Sequence, residues 1–133
     1  MNELNWLAII AATIAYYLLA ALWFSEMAFY PAWRRSIGWE KQRLGLIFYF
    51  GPLVTCFATV VALAVLFKAT RTSTLVGGTL LGLLVGIGIV APVLYNAGAL
   101  DPKKPHPMTW FGVTAGYHLV GVLIASVILS LWQ

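Results

Sequence analysis

The side chains able to do chemistry are few, and they sit in apolar surroundings. His118 has Thr114 one turn before it, Tyr117 beside it and Gly121 three residues on. A helix turns about 100° per residue, so these four fall within about 100° of arc. An imidazole placed there has two competing roles. It can be a structural group hydrogen-bonded to Tyr16, Tyr17 or Thr55, or it can be a proton relay or ligand contact.

Glu26 is the second candidate, flanked by Trp23 at i−3 and Tyr30 at i+4. Its carboxylate has two destinations. One is Arg34 or Arg35 within an interfacial aromatic belt. The other is an inward path to Tyr95 and Asn96, where Asp101 and His106 would join to form a polar mouth beneath His118. His106 and His118 are separated by about half a membrane thickness and cannot share a metal. Cys56 is the single cysteine, which excludes an intrachain disulfide and a cysteine-cluster metal site. No phosphate-binding loop and no nucleophile–histidine spacing is present. No metal or cofactor is implied, and nothing argues for an enzyme.

The elements that must position these groups follow from composition. Of 133 residues, 62% are hydrophobic and 9% charged, against roughly 25% charged in a soluble domain. Four apolar stretches reach the roughly 20 residues needed to cross a bilayer: about 6–30, 44–67, 74–100 and 108–132. Short linkers force neighbours to run antiparallel. The expected fold is all-α: one antiparallel four-helix transmembrane bundle over residues 1–133. The first span lacks a basic leader and a small-residue cleavage site, so it is expected to stay in the mature chain.

The net charge of +4 reads as orientation signals rather than nucleic-acid binding. Arg34, Arg35, Lys41, Arg43, Lys103 and Lys104 lie in the first and third loops, and Lys68 and Arg71 on the opposite side. That bias puts those loops in the cytoplasm and both termini outside, with a bacterial inner membrane as the natural host.

Lipid supplies no hydrophobic drive for helix association, so close backbone approach matters more. Gly78, Gly82 and Gly86 recur every four residues as a smooth groove on the third span. Gly112 and Gly116 make a stripe on the fourth, opposite the His118 face. The groove serves either packing within the chain or a homo-oligomer joined through the third helix. Pro52 and Pro92 each remove a helical hydrogen bond. At matching depths they are either tolerated kinks or a pair that opens a cavity.

Asn5-Trp6, Ala21-Leu22-Trp23-Phe24, Phe29 and Trp33 resemble the first-span pattern of the bacterial membrane family catalogued as domain of unknown function 1761. Ala20 stands where that pattern prefers glycine, and Phe24 where it has tyrosine. The resemblance implies a small four-helix membrane protein and no particular activity. A second likeness, in size and in an acid on the first span, is to small multidrug transporters, although Glu26 lies nearer the interface than a coupling carboxylate should. The readings carried forward are a small transporter or permeation protein with a polar cavity for an unidentified small molecule or ion, a non-catalytic oligomeric scaffold or accessory subunit, and a lipid-binding membrane protein. The bilayer is a partner in each.

Overall fold

A computed structural model describes residues 3–40 and 45–132. Lys41, Arg43 and the expected start of the second span at Leu44 lie outside the described residues. Those residues form helices and no strands: α1 (Trp6–Trp23), α2 (Tyr30–Ser36), α3 (Leu46–Ala69), α4 (Leu75–Val85), α5 (Ala91–Leu94) and α6 (Pro107–Leu131). One π turn, Gly86–Val90, joins α4 to α5 and a second, Tyr95–Ala99, follows α5, so that a single third span runs Leu75–Ala99. Four helices are long and apolar enough to cross a membrane, and they make this an integral membrane protein.

Local chemistry sets the helix ends. Asn5 caps α1 by accepting from Ala8 N at 3.1 Å, and Thr74 caps α4 by accepting from Gly77 N at 3.0 Å. Such caps satisfy amides that have no partner inside the helix. α6 opens on Pro107, whose missing N–H is not needed in the first turn.

The first span ends at Trp23, not at Tyr30 as the hydropathy suggested. Ser25 Oγ donates to Leu22 O at 2.8 Å, and Phe29 N reaches back six residues to Trp23 O at 3.0 Å. A serine that bonds the nearby backbone competes with helical pairing. Pro31 then sits in the first turn of α2, where its ring suits a helix start. It opens a new helix and does not close the old one. Glu26 therefore lies in a turn and not on one helix face between Trp23 and Tyr30. Trp23 stacks on Phe29, with ring centroids 4.6 Å apart.

α6 is the central element. Its start lies beside the first loop, where His106 N donates to Ser36 O at 3.1 Å. Gly38, in the left-handed region at φ +65°, lies against Pro105 in the same place. Its far end meets the start of α1, where Asn5 Nδ2 donates to Trp132 O at 3.0 Å. The third span runs antiparallel to it: Gly78 faces Ser130 at one end and Gly86 faces Leu119 at the other. The core joins Ala8, Ile9, Ala12 and Tyr16 of α1 to Val60, Leu63 and Phe67 of α3 and to Tyr117, Val122 and Ala125 of α6.

The glycine groove is filled from within the chain. A Cβ on Gly82 would lie 2.6 Å from Ser126 Oγ, and one on Gly86 would lie 2.6 Å from Leu119 Cδ1. Gly116 leaves room for the Trp23 indole, which donates to Val113 O at 3.0 Å. Gly112, expected to pack beside it, is exposed and has nothing within 4 Å of a Cβ position. α1 ends too early to cover it.

Candidate functional site

A cavity of about 1050 Å³ lies where α1, α2, α3 and α6 diverge at the loop end of the molecule. α1 contributes Tyr17, Ala20, Ala21 and Phe24, and the turn after it adds Ser25 and Glu26. Tyr30 and Trp33 come from α2, and Phe48, Tyr49, Gly51, Pro52 and Thr55 from α3. α6 supplies Trp110, Thr114, Tyr117 and His118. Mostly aromatic walls with a few convergent polar groups are the usual make-up of a small-molecule site.

The deep end is sealed by a hydrogen-bonded cluster. Tyr16 OH and His118 Nδ1 are 2.6 Å apart. Tyr117 OH donates to Tyr16 O at 3.3 Å and lies 3.5 Å from Cys56 Sγ. The Tyr16 and Tyr117 rings pack with centroids 5.4 Å apart. Gly121 makes this possible, since a Cβ there would overlap the Tyr16 ring. Of the three partners open to His118 on sequence grounds, Tyr16 takes the role. Tyr17 OH donates instead to Tyr49 O at 2.9 Å, and Thr55 Oγ1 to Pro52 O at 3.0 Å.

The predicted site residues divide. Glu26, Thr114, Tyr117 and His118 line one cavity. Tyr95 and Asn96 are not among its walls. Asn96 is exposed and gives its amide hydrogen to Pro92 O at 3.2 Å on its own span, and Tyr95 stands edge-on to Phe111 at 5.4 Å. Asp101 and His106 do not join Glu26 either. Asp101 pairs with Lys104 Nζ at 2.7 Å and accepts from Lys103 N at 3.0 Å. That hydrogen-bonded pairing holds its carboxyl below the usual carboxylate range. His106 is exposed at the cap of α6. Glu26 therefore shares the cavity with His118, while Tyr95, Asn96, Asp101 and His106 do not line it.

The two prolines also part company. Pro52 and its neighbour Gly51 form part of the wall, whereas Pro92 does not reach it. Pro92 cannot donate to the carbonyl four residues back, and the span responds with π turns on both sides, Ala91 N reaching Gly86 O.

A family model described as "Protein of unknown function (DUF1761)" matches residues 7–130. The chain belongs to the DUF1761 family. The match takes in nearly all of the four spans and every wall of the cavity. Comparison with curated proteins and with solved structures finds no match. Membership of DUF1761 thus assigns no activity, and function has to be argued from the cavity itself. Trp110, Phe24, Tyr49 and Gly51 also line the cavity, although nothing in the sequence marks them as site residues. Their aromatic and small side chains look like belt and packing positions until α3 is seen to diverge from α1.

Proposed function

We propose that this protein is a small permeation or transport protein, and that the cavity between α1, α2, α3 and α6 is its substrate site. The observation that carries the reading is continuity: one space of about 1050 Å³ reaches from the surface turn at Glu26 to His118 and Tyr117 inside the span. A scaffold does not require such a space. Intramembrane ionisable groups are costly to keep, and their usual use is in a pathway for substrate or protons. The Tyr16–His118–Tyr117 cluster closes the far end, as a carrier open to one side requires. The basic residues of the first and third loops support a cytoplasmic placement of the open end in a bacterial inner membrane.

Gly51→Phe is the direct test. Gly51 lines the cavity and has nothing within 4 Å of a Cβ position, so a phenyl group would fill the space without a clash at its root. Proteoliposomes would be assayed with ethidium, decylubiquinone and a spin-labelled fatty acid. The expected result is that the parent protein moves at least one of these across the bilayer and Gly51→Phe moves none. A parent protein indistinguishable from protein-free liposomes for all three would overturn the transport reading.

A further inference from the structure

Tyr16 decides the hydrogen-bonding character of the deep end. It is 1% exposed, and among the described residues its hydroxyl bonds only His118 Nδ1. A buried phenol proton with no acceptor costs about 1–3 kcal/mol, so Tyr16 donates and Nδ1 accepts. In a neutral imidazole the hydrogen then sits on the other nitrogen. His118 is the Nε2–H tautomer, a donor.

Thr114 stands one turn earlier on α6, and side chains at that spacing lie about 5–6 Å apart at Cβ. Its Oγ1 is buried without a hydrogen-bond partner. It shares this with Ser126 Oγ in the closed core, whereas the hydroxyls of Thr13, Thr59, Thr70 and Thr79 each donate to the carbonyl four residues back. Of these two orphaned hydroxyls, that of Thr114 is the one whose residue lines the cavity. Thr114 and His118 both line the cavity. Both come from α6, and Tyr17, Phe24, Tyr49, Gly51 and Pro52 belong to the same lining.

We propose that Thr114 and His118 are the polar end of a binding site for an uncharged, ring-shaped carbonyl compound with an apolar body, the chemical class of the lipid-soluble quinones. The two groups meet carbonyl oxygens, and the aromatic walls meet the ring. An anion is disfavoured because no described Lys or Arg lines the cavity. A cation is disfavoured at depth because the floor presents a donor. The inference rests on the cavity being a ligand site and adds what the ligand is. It is a statement about binding and requires no electron transfer.

Binding is read without flux, by titrating decylubiquinone into the full-length protein in phosphatidylcholine nanodiscs and following quenching of tryptophan fluorescence, since Trp33 and Trp110 line the cavity. The expected result is saturable quenching that Gly51→Phe abolishes. Thr114→Val, which keeps the side-chain shape, and His118→Ala should each weaken it about three- to tenfold, the worth of one hydrogen bond. Histidine-selective ¹⁵N labelling gives two residues to observe, and His118 should show protonated Nε2 and unprotonated Nδ1, a preference lost in Tyr16→Phe. Saturable binding of tetraphenylphosphonium but not of decylubiquinone would overturn the carbonyl class and leave the cavity as a ligand site. If neither compound saturates and Gly51→Phe behaves as the parent, both readings fall. A protonated Nδ1 would overturn the donor assignment.

Discussion

The two ends of this molecule are made from the same apolar side chains and pack differently. Toward the termini, Ile9 of α1, Val60 and Leu63 of α3 and Val122 of α6 are all at most 1% exposed. Toward the loops, the same α3 lines the cavity with Phe48 and Tyr49, which are 43% and 55% exposed. Small residues account for the difference. Ala8, Ala12, Ala125, Gly78 and Gly82 let backbones approach at the closed end, which is how helices associate when lipid removes the hydrophobic drive. At the open end α3 carries Gly51 and Pro52, but those face a cavity. A helix surface that meets neither a groove nor a ridge has no reason to close on its neighbour. Hydropathy cannot distinguish these ends, because both are rich in apolar residues, and the cavity forms where the helices do not close on one another.

Substitutions of glycine test that contrast most sharply. Gly121→Leu should have the largest effect of any single change, because its side chain would occupy the Tyr16 ring position and displace the whole Tyr16–His118–Tyr117 cluster. Overpacking of this kind costs about 3 kcal/mol or more where backbone cannot yield. The expected outcome is loss of folded protein in detergent, measured by thermal melting and size exclusion. Gly51→Phe at the open end should leave Tm unchanged despite adding a larger group. Equal destabilisation by the two would break the distinction between a sealed and an open end.

Gly82→Leu should follow in size. Its Cβ would meet Ser126 Oγ at 2.6 Å and Leu123 Cδ2 at 3.4 Å within the same chain, and a loss of about 1–3 kcal/mol is expected. The effect should be equal at low and high protein concentration, since the groove is occupied by α6. A melting point that depends on concentration in the parent and not in the variant would instead show the groove serving an interface between copies. Tyr16→Phe comes next, at about 1 kcal/mol for a single net hydrogen bond. It leaves the shape of the closed end intact and releases His118.

These cases also show what could be read in advance. The spans were legible because twenty apolar residues have few alternatives, and the polar face of Thr114, Tyr117 and His118 was legible because helical spacing alone places it. The end of α1 was not, since two polar residues, Ser25 and Glu26, barely lower the hydropathy of the run, yet Ser25 Oγ bonds Leu22 O and Phe29 N bonds Trp23 O to break the helix there. Asn96 was misplaced for a related reason. Periodicity assumes regular turns, and the π turns around Pro92 shift every face beyond them. The Gly112 position was read as packing from a repeat pattern that cannot tell whether a partner helix extends far enough to meet it.

The smallest expected effect lies in the third loop, at the open end but outside the cavity. Asp101 is paired with Lys104, whose ammonium also sits 4.9 Å from the centre of the Trp110 ring, a cavity wall. The pairing depresses the Asp101 carboxyl in the folded state. Any stability it contributes is therefore fully present above the unfolded carboxylate pKa and is lost as pH falls through the lower folded value. Because the pair is solvent-accessible, that contribution is small and screened by salt. Asp101→Asn should lower Tm slightly at neutral pH and low ionic strength, and its melting curve should coincide with the parent's once the pH is below the folded pKa. Gly121→Leu should show no such convergence, because steric overlap at the closed end does not titrate. If Asp101→Asn also weakened decylubiquinone binding, the loop would be coupled to the cavity through Lys104 and Trp110. The division would then run between a sealed end and an open end that includes its loop.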